Sequence, residues 1–310
     1  MIKILITGGA GYIGSILIPL LLEQNYTVTV YDSLLYGGSS LLPFISNNIF
    51  SFIKGNIRNK ELLNNAIKKN DVIIHLAAIA GLPACNKNKE LVYSTNVKGT
   101  ENVMNSLSQN QRLIHASTVS NYGSSTGDRC DENTALKPIS FYGRTKTEAE
   151  KIVLDFQNTI CLRFATAFGV SPRMRLDLLI NDFVYQAFVN KYLILFEKKY
   201  KRTFIHVQDI SRSILFAINN FEKMKHSILN IDDNSNNYSK EEIALKIKKR
   251  INYYLHFADI GEDEDKRNYS VSYEKINSLG FKTKKTVDEG IDELIKACKI
   301  LEFRHPYKNT

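Results

Sequence analysis

The stretch FYGRTK (141–146) sets a phenol, Tyr142, four residues before an ammonium, Lys146. On a helix that spacing places both side chains on one face. A phenol with an ordinary pKa of about 10 is a poor base at neutral pH. A neighbouring cation favours the phenolate. Tyr142 can then withdraw a hydroxyl proton while hydride leaves the same carbon. Thr118, within HASTVSNYG (115–123), can hydrogen-bond the reacting hydroxyl and share its developing charge. The chain holds sixteen tyrosines, so the spacing alone says little, and its meaning comes from the elements that would position it.

The N-terminal stretch ILITGGAGYIGSIL (4–17) supplies that setting. An apolar run meets a helical pattern through three glycines. Gly8 permits a tight turn, Gly11 lets backbone approach a pyrophosphate, and Gly14 lets the helix pack closely on the sheet. The helix start offers unpaired N–H groups and a partial positive charge to the phosphates. Asp32 ends the next apolar run, where a carboxylate accepts from a ribose 2′-hydroxyl and repels a 2′-phosphate. The implied cofactor is NAD rather than NADP.

Apolar runs and helical stretches alternate through the first half. Strands are expected at 2–7, 27–32, 49–54, 72–78, 112–118 and 159–165, with helices at 12–24, 89–107 and 141–156. Pro19 falls inside the first helix and is expected to kink it or move its start. Short apolar runs separated by helices require a parallel sheet covered on both faces. The fold class is therefore α/β, a Rossmann-type doubly wound parallel sheet. After residue 166 strands become rarer, DDNSNN (232–237) reads as a loop, and helices are expected at 239–251 and 287–300. This divides the chain into a dinucleotide-binding domain over 1–165 and a smaller C-terminal substrate-binding region over 166–310, part of which returns to the first sheet.

The 310 residues are 44% hydrophobic and 24% charged, an ordinary globular composition. No run of eighteen apolar residues occurs and no secretory pattern opens the chain, so a cytoplasmic protein with reduced thiols is expected. The net charge of +9 is spread over Lys-rich stretches such as KKYKR (198–202) and KIKKR (246–250), which alternate with apolar residues as solvated faces do. No nucleic-acid partner is inferred from it. The six histidines lie singly, and no metal site is expected.

With TGGAGYIG, VYD, LAA, TNVKGT (95–100), YGRTK, LRFATAFG, RTFIHVQDI (202–210) and DKRNYSVS (265–272) in view, the chain resembles the extended short-chain dehydrogenases/reductases that act on nucleotide sugars. That group contains UDP-galactose 4-epimerase and the sugar-nucleotide dehydratases. The resemblance implies a catalytic set of Thr118, Tyr142 and Lys146. It implies NAD contacts from Gly8, Gly11, Tyr12, Ile13, Gly14, Asp32, Ala77, Ala78 and Lys146, with Asn96 either bridging strands or facing the cofactor. Asn56 and Ile57 occupy the slot that usually reads Asp-Ile/Leu and faces adenine. Asn181, Arg202 and Arg267 match positions used for the substrate's diphosphate and nucleotide, where an arginine fork suits phosphate. Homodimerisation through the helices near 89–107 and 141–156 is usual in the family.

Dehydratases of the group carry an acidic pair directly after the threonine, whereas Thr118 is followed by Val119, Ser120 and Asn121. Elimination is therefore disfavoured, and oxidation at C4 of a sugar is expected, with hydride returned (epimerisation) or not (C4 dehydrogenation). SPRMRLDLLINDFVYQAF (171–188) and GEDEDKRNY (261–269) resemble a sub-branch acting on GDP-linked heptoses in capsule synthesis. The alternatives are a 4,6-dehydratase and a catalytically inert NAD-binding regulator on the same fold.

Overall fold

A computed structural model describes residues 1–258 and 268–301. The apolar runs of the first half become strands β1 (Lys3–Thr7), β2 (Thr27–Asp32), β3 (Phe50–Lys54), β4 (Val72–His75), β5 (Arg112–Thr118) and β6 (Thr159–Phe164). β4 and β6 are buried along their whole length, as a central parallel strand between helix layers must be, whereas the edge strand β3 is half-exposed. The second half adds β7 (Thr166–Phe168), β8 (Lys201–His206), β9 (Ser227–Ile231) and β10 (Asn237–Ser239).

The main sheet has seven strands in the order β9-β6-β5-β4-β1-β2-β3, all parallel. The order reverses between β1 and β4, the switch point outside which such sheets hold ligands. β9 comes from the second half and pairs with β6 from Ser227↔Ile160 to Ile231↔Phe164. A three-stranded sheet β10-β8-β7 stands beside it.

Local chemistry sets the helices that matter for the cavity. Helix α1 (Gly14–Glu23) follows the glycine turn and runs on through Pro19. Helix α2 (Phe141–Leu154) starts where it does because the Ser140 hydroxyl accepts from the Gly143 N–H at 3.0 Å, an N-cap. In the second half, α3 (Leu179–Tyr185), α4 (Val207–Asn219), α5 (Lys240–Lys248) and α6 (Val287–Ile300) follow. α5 and α6 each open with a capping box, Ser239 with Glu242 and Thr286 with Glu289. Their apolar faces meet α3 in a second core that includes Ile180, Val184, Ile243, Ile247, Ile291 and Leu294.

The helix expected over 89–107 runs continuously from 89 to 106, with a π turn over Ser94–Lys98. One expectation changes. The second half is not poor in strands: seven occur among its described residues. They are short and pair only in small sheets apart from β9, outside the strand–helix alternation of the first half; Tyr192–Leu195 is an apolar run, but it buries only alternate residues.

Helix α2 is fastened to the sheet by a buried ion pair. Arg163 on β6 meets Glu150 on α2 at 2.5 Å, with both side chains 3% exposed. Ser117 on β5 donates to the same carboxylate at 2.6 Å, and Arg163 Nη1 donates to the Tyr122 hydroxyl at 2.8 Å. Tyr122 in turn donates to Asn230 on β9 at 2.8 Å. Removing one member leaves its partner charged and buried. Glu150→Ala is therefore expected to destabilise the fold by about 3 kcal/mol or more in urea unfolding. Glu222→Ala, which breaks solvent-exposed ion pairs with Arg112 and Lys225, should cost less than about 1 kcal/mol.

Candidate active site

The switch point opens into a cavity of about 720 Å³. Its floor is the glycine turn. Gly8 has φ +74°, and a Cβ there would sit 2.7 Å from the Ala77 backbone, so only glycine serves. A Cβ at Gly14 would come within 2.4 Å of the Gly9 carbonyl oxygen, so α1 lies against the turn itself. Gly11 differs: its Cβ would meet only the Gly8 oxygen, at 3.1 Å, and would stand in the cavity where a ligand's phosphates must lie. No side chain caps α1; Ser15, Ile16 and Leu17 N–H donate to Gly11 O and Ile13 O, and Tyr12, Ile13 and Gly14 line the cavity at the positive end of the helix.

Asp32 lines the cavity at the end of β2. Its carboxylate accepts from Ala10 N at 3.0 Å and Leu34 N at 2.8 Å, which ties the glycine turn to β2. Burial raises its pKa, against those backbone bonds and the charge of Arg173. Ala77, Ala78, Ile57 and Asn56 also face the space. The Asn56 amide oxygen already accepts from Arg58 N and Nε at 3.0 and 3.1 Å, and as a carbonyl it keeps limited capacity for another donor. Asn96 does not line the cavity. Seated in the π turn, it accepts from Ile79 N at 2.8 Å and donates to Ile79 O and Thr145 Oγ1, which braces the chain just beyond β4.

Thr118, Tyr142 and Lys146 come together on one wall. Thr118 Oγ1 accepts from Ser120 N at 3.1 Å and donates to Ser120 Oγ at 3.0 Å. Lys146 is 4% exposed, and burial pushes its pKa down to about 8. Its Nζ lies 3.2 Å from His115 Nε2. Burial likewise drives His115 far below its ordinary pKa, so the imidazole is neutral and the lysine carries the charge.

The second half closes the cavity with Arg202, only 2% exposed, and with Arg173, Arg175 and Asp177. Asn181 is instead spent on protein. It accepts from Gly169 N at 2.9 Å and donates to Arg175 O at 2.8 Å, behind the wall rather than in it. Arg267 lies outside the described residues. The residues missed from sequence are Arg173, which covers the Tyr36 ring at 4.6 Å, and the Arg175–Asp177 pair at 2.6 Å. Burial opposes the charge on Arg175, but Asp177 holds its pKa above the usual value. Their signal was the alternation of basic and apolar residues in SPRMRLD (171–177), followed by an acid at the matching register.

Among the described residues no group of three or more His, Cys, Asp or Glu is placed to hold a metal ion, and no helix is long and apolar enough to cross a membrane.

Residues 4–232 match the NAD dependent epimerase/dehydratase family. The chain is 28% identical over 309 residues to a putative UDP-glucose 4-epimerase of Methanocaldococcus jannaschii, covering 96% of this chain and 98% of that one. It is similar in structure to dTDP-glucose 4,6-dehydratase of Bacillus anthracis in complex with NAD, with TM-score 0.85, 27% identity, and 99% and 100% of the two chains covered. It is likewise similar to UDP-glucuronic acid 4-epimerase of Bacillus cereus in complex with UDP-glucuronic acid and NAD, with TM-score 0.86, 25% identity, and 97% and 100% covered. The cofactor is NAD, which suits an open cradle at Gly11 and a carboxylate at Asp32.

Calorimetry should show NAD binding well ahead of NADP. Asp32→Asn keeps an acceptor for the turn but removes the charge that repels a 2′-phosphate, so that preference should shrink by roughly tenfold. A wild-type preference for NADP would contradict the assignment of Asp32.

Proposed function

The chain belongs to the NAD dependent epimerase/dehydratase family, and from that premise we propose that it oxidises C4 of a nucleoside diphosphate sugar, as a 4-epimerase or C4 dehydrogenase, in surface-polysaccharide synthesis. A GDP-linked heptose is the favoured substrate type, on the resemblance of the segment 171–188. The observation that carries the reading is the wall on which Tyr142 and Lys146, one helical turn apart, face the cavity together with Thr118.

In this reading Tyr142 removes the proton of the C4 hydroxyl, and Lys146, held charged inside the protein, favours the phenolate that does so. Bound NAD supplies the hydride acceptor and, once reduced, a donor. Thr118 hydrogen-bonds the same sugar oxygen and fixes its approach. The glycine turn and α1 hold the dinucleotide diphosphate, and Asp32 holds the adenosine ribose. Arg202, buried yet facing the cavity, binds the sugar nucleotide's diphosphate. Asn181 acts on the substrate indirectly, by setting the backbone of Gly169 and Arg175.

Elimination finds no support in the wall. Val119, Ser120 and Asn121 follow Thr118, none of them an acid, and the nearby Glu150 is engaged by Arg163 and Ser117. A homodimer through α2 and the helical segment 89–106, working in the cytoplasm, completes the proposal.

The test is incubation of the purified protein with UDP-, GDP- and dTDP-sugars. NMR reports C4 epimers, and absorbance of reduced nicotinamide reports net oxidation. Tyr142→Phe should retain NAD but lose at least roughly 100-fold in rate, the usual weight of a positioned acid–base group. Near-normal turnover in that variant would remove Tyr142 as the base. Accumulation of a 4-keto-6-deoxy sugar, detected by mass spectrometry, would replace the reading with a dehydratase.

A further inference from the structure

Three residues before Thr118 on β5, His115 lies fully buried, and its Nε2 stands 3.2 Å from Lys146 Nζ. A neutral imidazole offers one acceptor nitrogen and one donor nitrogen. Since the ammonium can only donate, Nε2 must accept and the ring hydrogen must sit on Nδ1. That Nδ1 has no hydrogen-bond partner among the described residues, so nothing on that side competes for the tautomer.

The neighbouring histidine is fixed otherwise. His75 on β4 lies 5.3 Å away ring to ring. Thr100 donates its hydroxyl hydrogen to Asn96 O at 2.7 Å, so at 2.9 Å it accepts from His75 Nε2. His75 Nδ1 then accepts from Thr7 at 2.7 Å. Both its nitrogens are committed, and burial lowers its pKa to about 3. It adds no charge beside Lys146.

The groups facing Lys146 are therefore few. Glu150, one turn along α2, and Cys161 on β6 favour the charged form, while burial opposes it more strongly. Glu150 is already bound by Arg163 and Ser117. We infer that His115 is a positioning residue for Lys146: its Nε2 lone pair receives one ammonium hydrogen, aims the remaining two into the cavity, and favours the charged form. The inference rests on the proposed partnership of Lys146 with Tyr142. It adds a residue below the catalytic wall that touches neither cofactor nor sugar and acts only through the lysine.

Two measurements test it without substrate. In wild-type protein with isotope-labelled histidine, NMR should find the His115 ring neutral, with its hydrogen on Nδ1, from about pH 6 to about pH 8. A hydrogen on Nε2, or an imidazolium in that range, overturns the proposal. Second, acylation of Lys146 is followed against pH by peptide mass spectrometry. In His115→Phe the midpoint should fall by about one pH unit, a roughly tenfold loss of proton affinity and about the worth of one hydrogen bond to a charged group. In His115→Gln, whose amide oxygen accepts, it should return toward the wild-type midpoint. A purely structural role would move stability but not this midpoint. An unchanged midpoint in His115→Phe, or equal midpoints in the two variants, overturns the inference, and if His115→Phe does not fold the wild-type spectrum decides alone. Failure of Tyr142→Phe to lose activity would sink the C4 reading and leave both measurements untouched, so the two failures are distinguishable.

Discussion

The placement of α2 against β5 decides whether a phenol, an ammonium and a threonine hydroxyl face one cavity, and the buried pair of Glu150 and Arg163 ties α2 to the sheet there. Taking two charges out of water costs several kcal/mol for each ion, and only close geometry with every remaining polar atom satisfied offsets it. Here Arg163 reaches both carboxylate oxygens, Ser117 and Asn121 donate to one of them, and Tyr122 accepts from the guanidinium. What the pair adds to apolar packing is a set of directional bonds from β5 and β6 to one side chain of α2. Glu150 sits one turn past Lys146 and Ser117 immediately precedes Thr118, so the same bonds that hold the helix also hold the proposed catalytic residues.

A second constraint binds the two halves of the chain at the glycine turn. Tyr12 donates to Gly169 O at 2.7 Å, Ser171 donates to Tyr12 O at 2.8 Å, and Ser15 and Ser171 meet at 2.9 Å. Burial holds the Tyr12 phenol well above its ordinary pKa, so it stays a donor throughout the working range. Gly169 has φ +109°, and a Cβ there would strike His206 at 2.3 Å. The segment that carries Arg173 and Arg175 thus hangs from the first turn of α1. The glycine turn and the segment whose arginines close the cavity are parts of one hydrogen-bonded unit.

The sequence made the central sheet legible because its strands are continuous apolar runs with a helix after each. The run RLIHAST is β5 from end to end, and IKILIT and TICLRFA differ from β1 and β6 by a single residue. The glycine turn and Asp32 were legible for a different reason, since few folds need those types at those places. The small sheets of the second half were hidden because their strands are short and stand outside the strand–helix alternation of the first half. The uses of Asn96 and Asn181 were hidden more deeply. An asparagine can bridge backbone or meet a ligand with the same four hydrogen-bonding positions, and only the position of Ile79 N or Gly169 N decides between them. His115 carried a visible signal, a lone polar ring inside RLIHAST, but its partner lies 31 residues away on a helix.

The hydroxyl of Thr118 places a further demand on the proposed chemistry. It has one hydrogen, which it gives to Ser120 Oγ, while one lone pair takes the Ser120 N–H. A C4 alcohol can accept or donate, but the ketone formed from it can only accept. As oxidation proceeds, Thr118 must therefore turn its hydrogen from Ser120 toward the sugar oxygen. The backbone bond from Ser120 N holds the threonine oxygen in place while the hydrogen swings. The exchange replaces one neutral hydrogen bond with another to an oxygen of growing negative charge, and such bonds are roughly twice as strong as neutral ones. In the proposed reading Ser120, which stands where an acid of the dehydratase pair would stand, offers Thr118 a resting partner it can leave.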